Sequence, residues 1–168
     1  MNPLDFSIIR RTRRNHALEH ATIHLLSAAL PGKSLAGRST PFGFYLYGDV
    51  TTDNLTTAAY EALHRLRQGE RRLAIHPGCG TNFLTSGMFA GLAAFAALSI
   101  GDQKHRLSRL PDVLIAATVA LMIAQPVGPK LQEKVTTLAD MGDLSIMAIL
   151  NLDTHSSLTT HYVETIST

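Results

Sequence analysis

From Leu73 to Gly101 the chain carries no Asp, Glu, Lys or Arg, and no other feature restricts its fold as strongly. Within this run, Phe83 to Ile100 consists of Phe, Leu, Met, Ala, Gly and Ile, relieved only by the hydroxyls of Thr85, Ser86 and Ser99. About 18 helical residues at about 1.5 Å each approach the roughly 30 Å of a hydrocarbon core. After a charged link, Asp102-Gln103-Lys104-His105-Arg106, Pro111 and Asp112 open a second apolar run, Val113 to about Val127. Its strongest part, Val113 to Ala124, is short for a span, and Gln125 and Pro126 weaken its end. A helix that enters a bilayer must return if its flanks share a side, so the runs read as a transmembrane hairpin, about 83–100 and 112–127. The competing reading is a helical hairpin buried in a soluble core, but long charge-free runs are uncommon in soluble chains of this size. Gly87 and Gly91, with Ala90 and Ala94 beside them, form a small-residue face where helix backbones can approach, within the hairpin or between two copies.

The whole chain is not lipid-embedded. At 168 residues its mean hydropathy is only +0.10, so the apolar residues are concentrated in the hairpin. Roughly 120 residues remain for one modest core. The chain therefore divides into an N-terminal part, 1–81, the hairpin, 82–128, and a C-terminal part, 129–168. A helical period runs from His16 to Ala29, with Asn15 as N-cap and Pro31-Gly32 as stop. A loop, Gly32 to Pro41, leads to a strand at Phe42–Tyr47, then a helix capped by Thr52 or Asp53 and ending near Leu66. Arg72 to His76 reads as a short strand and Pro77 to Asn82 as a turn. Beyond the hairpin, Lys130 to Ala139 reads as an amphipathic helix. Leu144–Leu150 and Leu158–Ile166 read as strands around a turn at Asp153–Ser156. The expected fold is α+β: a small, mostly antiparallel sheet with two or three helices, drawn from both sides of the hairpin.

Charge and composition exclude several functions. A net charge of +2 and 6% aromatic residues supply neither the basic surface nor the stacking platform of a nucleic-acid binder. No glycine-rich phosphate loop is present, which argues against nucleotide binding. The single cysteine, Cys79, rules out an internal disulfide framework and fits a reducing compartment or a ligand role. Arg10, Arg11, Arg13 and Arg14 are followed by a histidine-bearing polar helix rather than a signal-sequence core. Basic residues near the spans favour the domain side: Arg65, Arg67, Arg71, Arg72, Lys130 and Lys134 against Lys104, Arg106 and Arg109. The expectation is an integral membrane protein whose soluble part is cytoplasmic, although the charge density of the link points the other way.

The chemistry concentrates on histidines. His16 and His20 stand one turn apart on one helix face, close enough to share a metal ion, with Glu19 beside them. The pattern His-x-x-Glu-His resembles the inverted zincin motif of insulysin-like and pitrilysin-like metallopeptidases. That resemblance implies zinc on His16 and His20, with Glu19 as general base, and it covers only these five residues. The family's downstream glutamate ligand has no placed counterpart; Glu61 and Glu70 qualify by residue type alone. His24 extends the stripe by a further turn, where drift around the helix suits it to support a ligand, cap a polar network or meet solvent rather than to bind.

A second constellation, His76-Pro77-Gly78-Cys79-Gly80-Thr81-Asn82, offers an imidazole and a thiol three residues apart, donors that suit zinc. His16, His20, His76 and Cys79 would together make a closed structural site, whereas three ligands and a water would support hydrolysis. The plainer reading makes Cys79 a small buried hydrophobe and His76 a hydrogen-bonded histidine at a turn. His161 could join the site if its strand pairs beside the one ending at His76. His64 with Glu61 reads as a surface pair, while His105 and His155 fall in connecting segments.

The combination of Asn15-His16-Ala17-Leu18-Glu19-His20-Ala21, the His76–Asn82 motif before an apolar hairpin, and His161-Tyr162-Val163-Glu164-Thr165 looks like a family of uncharacterised bacterial membrane proteins. That resemblance spans nearly the whole chain and implies the bacterial inner membrane, with the lipid bilayer as partner, but no activity. Three functions remain in view: a membrane-anchored zinc hydrolase of unspecified substrate, a structural or accessory protein tied together by a His/Cys site, and a metal-handling module.

Overall fold

In the computed structural model, residues 3–100, 107–152 and 159–168 are described. The charged link Asp102–Arg106 and the expected turn Asp153–Ser156, with His105 and His155, lie outside the described residues. The chain divides into two compact units, 1–76 with 133–168, and 77–132.

The first unit is α+β. Helix α1 (Ser7–Ala29), strands β1 (Ala36–Thr40) and β2 (Gly43–Tyr47), and helix α2 (Thr52–Arg67) precede the apolar segment in sequence; β3 (Ser145–Asn151) and β4 (Thr160–Ile166) follow it. The strands form one antiparallel sheet in the order β1-β2-β4-β3. The central pairing of β2 with β4 therefore joins segments from either side of the second unit. Alternation along these strands turns Phe44, Leu46 and Val163 inward, all fully buried, onto a core with Leu18, Leu26, Leu55 and Leu66 of the two helices. Gly43 sits at φ +149°, and a Cβ there would strike the Val163 carbonyl, so the close β2–β4 approach requires glycine. Thr51, not the expected Thr52 or Asp53, caps α2, its Oγ1 accepting from the Asn54 N–H at 3.3 Å.

Four further local expectations change. Helix α1 begins two turns early, at Ser7, so Asn15 is a mid-helix residue rather than an N-cap. Its buried amide donates to the Thr40 carbonyl at 2.9 Å and accepts from Thr165 Oγ1 at 2.7 Å, tying α1 to β1 and β4. The segment read as a loop contains β1, whose polar sequence Ala-Gly-Arg-Ser-Thr gives no apolar alternation to detect. Arg71–Ala74 is a 3-10 turn, not a strand, with the Ile75 N–H bonded to the Arg72 carbonyl at 3.2 Å. Residues 130–139 form no separate helix. Helix α4 runs to Leu131 through Pro126 and Pro129 and passes into a π-helical turn, Gln132–Thr136, where the wider turn follows two prolines that remove helix hydrogen bonds.

The second unit consists of α3 (Gly80–Ser99) and α4 (Leu110–Leu131), packed together. Both are long and apolar enough to cross a membrane, the second over Leu110–Thr136. Their large side chains point outward: Phe83 is 70% exposed, Leu84 67% and Phe95 71%. The buried positions are small, with Thr85 on α3 and Ala120, Ala124 and Gly128, one turn apart, on α4. A Cβ at Gly87 or Gly91 would meet nothing within 4 Å, so these glycines do not mediate the α3–α4 approach. Gly128 has that role, facing Asn82, whose Oδ1 also accepts from Gln132 Nε2 at 2.6 Å.

Candidate metal centre

Helix α1 crosses the first unit with a polar stripe turned inward. Arg14, Asn15, Glu19 and His20 are all buried, and each polar group needs a partner to offset its lost hydration. Much of that pairing comes from the two segments where the chain leaves the unit and returns to it. On the outbound side, His20 Nδ1 bonds the Ala74 carbonyl at 2.7 Å and His24 Nε2 the Ile75 carbonyl at 2.9 Å. On the returning side, His16 Nδ1 bonds the Thr136 carbonyl at 2.9 Å. Arg13 donates to the carbonyls of Lys134 at 2.9 Å and Thr137 at 3.0 Å, and Arg14 to the Asp140 carbonyl and the Asp143 carboxylate, both at 3.0 Å.

These carbonyls fix the histidine tautomers. A carbonyl oxygen only accepts, so Nδ1 of His16 and His20 carries the proton and Nε2 keeps its lone pair. A metal-binding histidine is oriented in this way by its second nitrogen. The rings of His16 and His20 are 4.3 Å apart between centroids, and their candidate ligand nitrogens lie within 4.8 Å of one another. His76 is the third imidazole, 5.7 Å from His20 and 4.7 Å from His24 between ring centroids. Burial, then the neighbouring His24 and His20, lower its pKa to about 4, so it is neutral at physiological pH.

Glu19 takes a different environment. It is 4% exposed, accepts a short hydrogen bond from Ser39 Oγ, and packs against Gly37 of β1, where a Cβ would displace its carboxylate. Cys79 belongs to the second unit, is buried, and caps α3 by accepting from the Thr81 N–H at 3.4 Å. Its connection to His76 through three peptide bonds limits their Cα separation to about 11 Å.

The structure thus brings His16, His20 and His76 together within the first unit, with His24 beside His76 and bonded to the Ile75 carbonyl. His161 is not brought to them. It is fully buried on β4 between β2 and β3, its Nε2 bonded to Thr52 Oγ1 at 3.1 Å, because no strand ends at His76. Glu61 and Glu70 both face Arg65, at 2.7 and 3.8 Å, and His64 bonds Gln68 rather than Glu61. What residue types could not reveal are the carbonyls of Ala74, Ile75 and Thr136. The one available signal was the density of donors, arginine and histidine, along α1.

The chain matches no solved structure. It is 37% identical over 161 residues to an uncharacterized protein of Picosynechococcus sp., covering 90% of this chain and 77% of that protein. A family model described as a domain of unknown function, DUF6391, matches residues 11–149, which include the histidine helix, the His76–Cys79 segment and both apolar helices. The chain belongs to the DUF6391 family.

Proposed function

We propose that this is a membrane-anchored metal-binding protein in which His16 and His20 hold the ion and the bound metal ties its domain together. The observation that carries this reading is the closeness of the two rings, 4.3 Å between centroids, each oriented by an Nδ1 hydrogen bond to a backbone carbonyl. His76 is the third donor, and Cys79, the chain's only thiol, is the fourth by its reach. An imidazole and thiolate set is the chemistry of zinc. Membrane anchoring is supported by the outward side chains of α3 and α4, since Phe83, Leu84, Leu92 and Phe95 would present a continuous apolar surface to water.

Holding is favoured over hydrolysis. The Glu19 carboxylate accepts from Ser39 on β1 and packs against Gly37, contacts that fit a role in tying α1 to the sheet. Metal analysis of detergent-purified protein tests the reading. About one zinc per chain is expected, lost in His16→Ala and His20→Ala and retained in Glu19→Gln. Retained metal with lost hydrolytic turnover in Glu19→Gln would restore the enzyme reading; metal-free wild-type protein would end both.

A further inference from the structure

We propose that the cavity between the outbound segment, Arg71–Ile75, and the returning segment, 133–140, binds a phosphate ester through Arg71, Arg72 and Lys134. Both segments belong to the first unit, and the space they enclose is about 460 Å³. That volume lies within the roughly 300–1,000 Å³ of small-molecule sites and exceeds what a bare phosphate needs. The ligand therefore carries an organic portion, for which Ala74, Ile75, Leu138 and Ala139 supply an apolar floor.

Charge selects the phosphate. Arg71, Arg72 and Lys134 line the cavity, are exposed, and form no ion pair among the described residues. Two carboxylates share the lining. Asp140 Oδ1 accepts from the Gly142 N–H at 3.1 Å, and Glu133 stands on the rim, leaving the cavity one positive charge in excess. Two guanidinium forks and an ammonium match the several oxygens of a phosphate ester better than one carboxylate, because each fork can grip two oxygens. The cavity is also prebuilt. Arg13, bonded to the carbonyls of Lys134 and Thr137, and His20 and His24, bonded to those of Ala74 and Ile75, hold its two walls from behind. None of the three cations is a candidate metal ligand, so the site stands with or without the metal.

The ester can be soluble or a phospholipid headgroup, and the test separates the two. Full-length protein in detergent is titrated with glycerol 3-phosphate by calorimetry, and protein in nanodiscs is compared on phosphatidylglycerol and phosphatidylcholine. Saturable binding of glycerol 3-phosphate assigns a soluble ester; selective retention of phosphatidylglycerol assigns a headgroup. In either arm, R71Q/R72Q/K134Q is expected to weaken binding at least tenfold. Arg38→Gln on β1 is expected to leave it unchanged, and His16→Ala to keep it while losing metal. If the triple variant does not fold, Lys134→Gln alone, at an exposed side chain, is expected to weaken binding at least threefold. Binding of neither probe, or binding indifferent to these substitutions, overturns the proposal.

Discussion

Helices α1 and α3 are of similar length, 23 and 20 residues, and are built inside out with respect to one another. Helix α1 buries Arg14, Asn15, Glu19 and His20 and leaves Ile8 63% exposed; α3 buries Thr85 and leaves Phe83, Leu84, Leu92 and Phe95 largely exposed. The difference lies in what surrounds each helix. Polar groups on α1 are tolerated inside because backbone carbonyls and carboxylates meet them, at a cost far below that of unpaired burial. Apolar groups on α3 are tolerated outside if the medium is hydrocarbon. The two helices thus differ both in composition and in which residues they bury.

The sharpest comparison uses one residue type on both helices. Leu18→Ala, at a fully buried site on α1, is expected to cost about 2–5 kcal/mol. Leu84→Ala on α3, 67% exposed, is expected to cost less than about 1 kcal/mol in detergent. Thermal melts of the purified variants measure both, and equal losses would mean that α3 is a core helix. Next in size is a charge placed mid-span. Leu92→Arg should oppose insertion by about 2.5–3.5 kcal/mol and reduce the carbonate-resistant membrane fraction of the protein. On a water-facing helix the same substitution would improve solubility, so full retention of soluble, monodisperse wild-type protein would break the contrast.

Smaller effects probe the polar side of α1. Asn15→Ala removes the buried partner of the Thr40 carbonyl and Thr165 Oγ1, at an expected cost of about 2 kcal/mol in the same melts. The smallest effect concerns Asp143, which receives Arg14. Hydrogen bonds from the Thr168 side chain and backbone N–H, with a lesser contribution from Arg14, lower its pKa to about 2. A carboxylate with a lowered folded pKa stabilises the fold above its ordinary pKa and loses that contribution as pH falls towards about 2. The Tm difference between wild type and Asp143→Asn should thus hold from neutral pH to about pH 5 and close in more acidic buffer. A difference that widens on acidification would contradict the assignment.

The contrast also explains what could be read from the sequence. The two apolar helices were legible as long charge-free runs, and β2, β3 and β4 as short aromatic or apolar runs bounded by turn residues. Strand β1 was hidden because Arg38, Ser39 and Thr40 give a polar edge strand no such pattern. Leu73, Ala74 and Ile75 look like a strand, yet four residues fit equally into a 3-10 turn that closes its own hydrogen bonds. The His16, His20 and His24 stripe was legible from helical spacing. Its partners were not. The Thr136 carbonyl lies 120 residues from His16 and the Ala74 carbonyl 54 from His20, and a backbone carbonyl has no signature in a sequence. Asn15 failed as a cap for the same reason: its true partners are residues 40 and 165, remote in the chain.

X-ray absorption at the metal edge of detergent-purified protein addresses the histidine site most directly. Zinc with nitrogen neighbours at about 2.0–2.1 Å and a sulfur at about 2.3 Å is expected, with at least one nitrogen lost in His16→Ala. Protein that binds no metal, or a metal surrounded by oxygen alone and unaltered by His16→Ala, would contradict it.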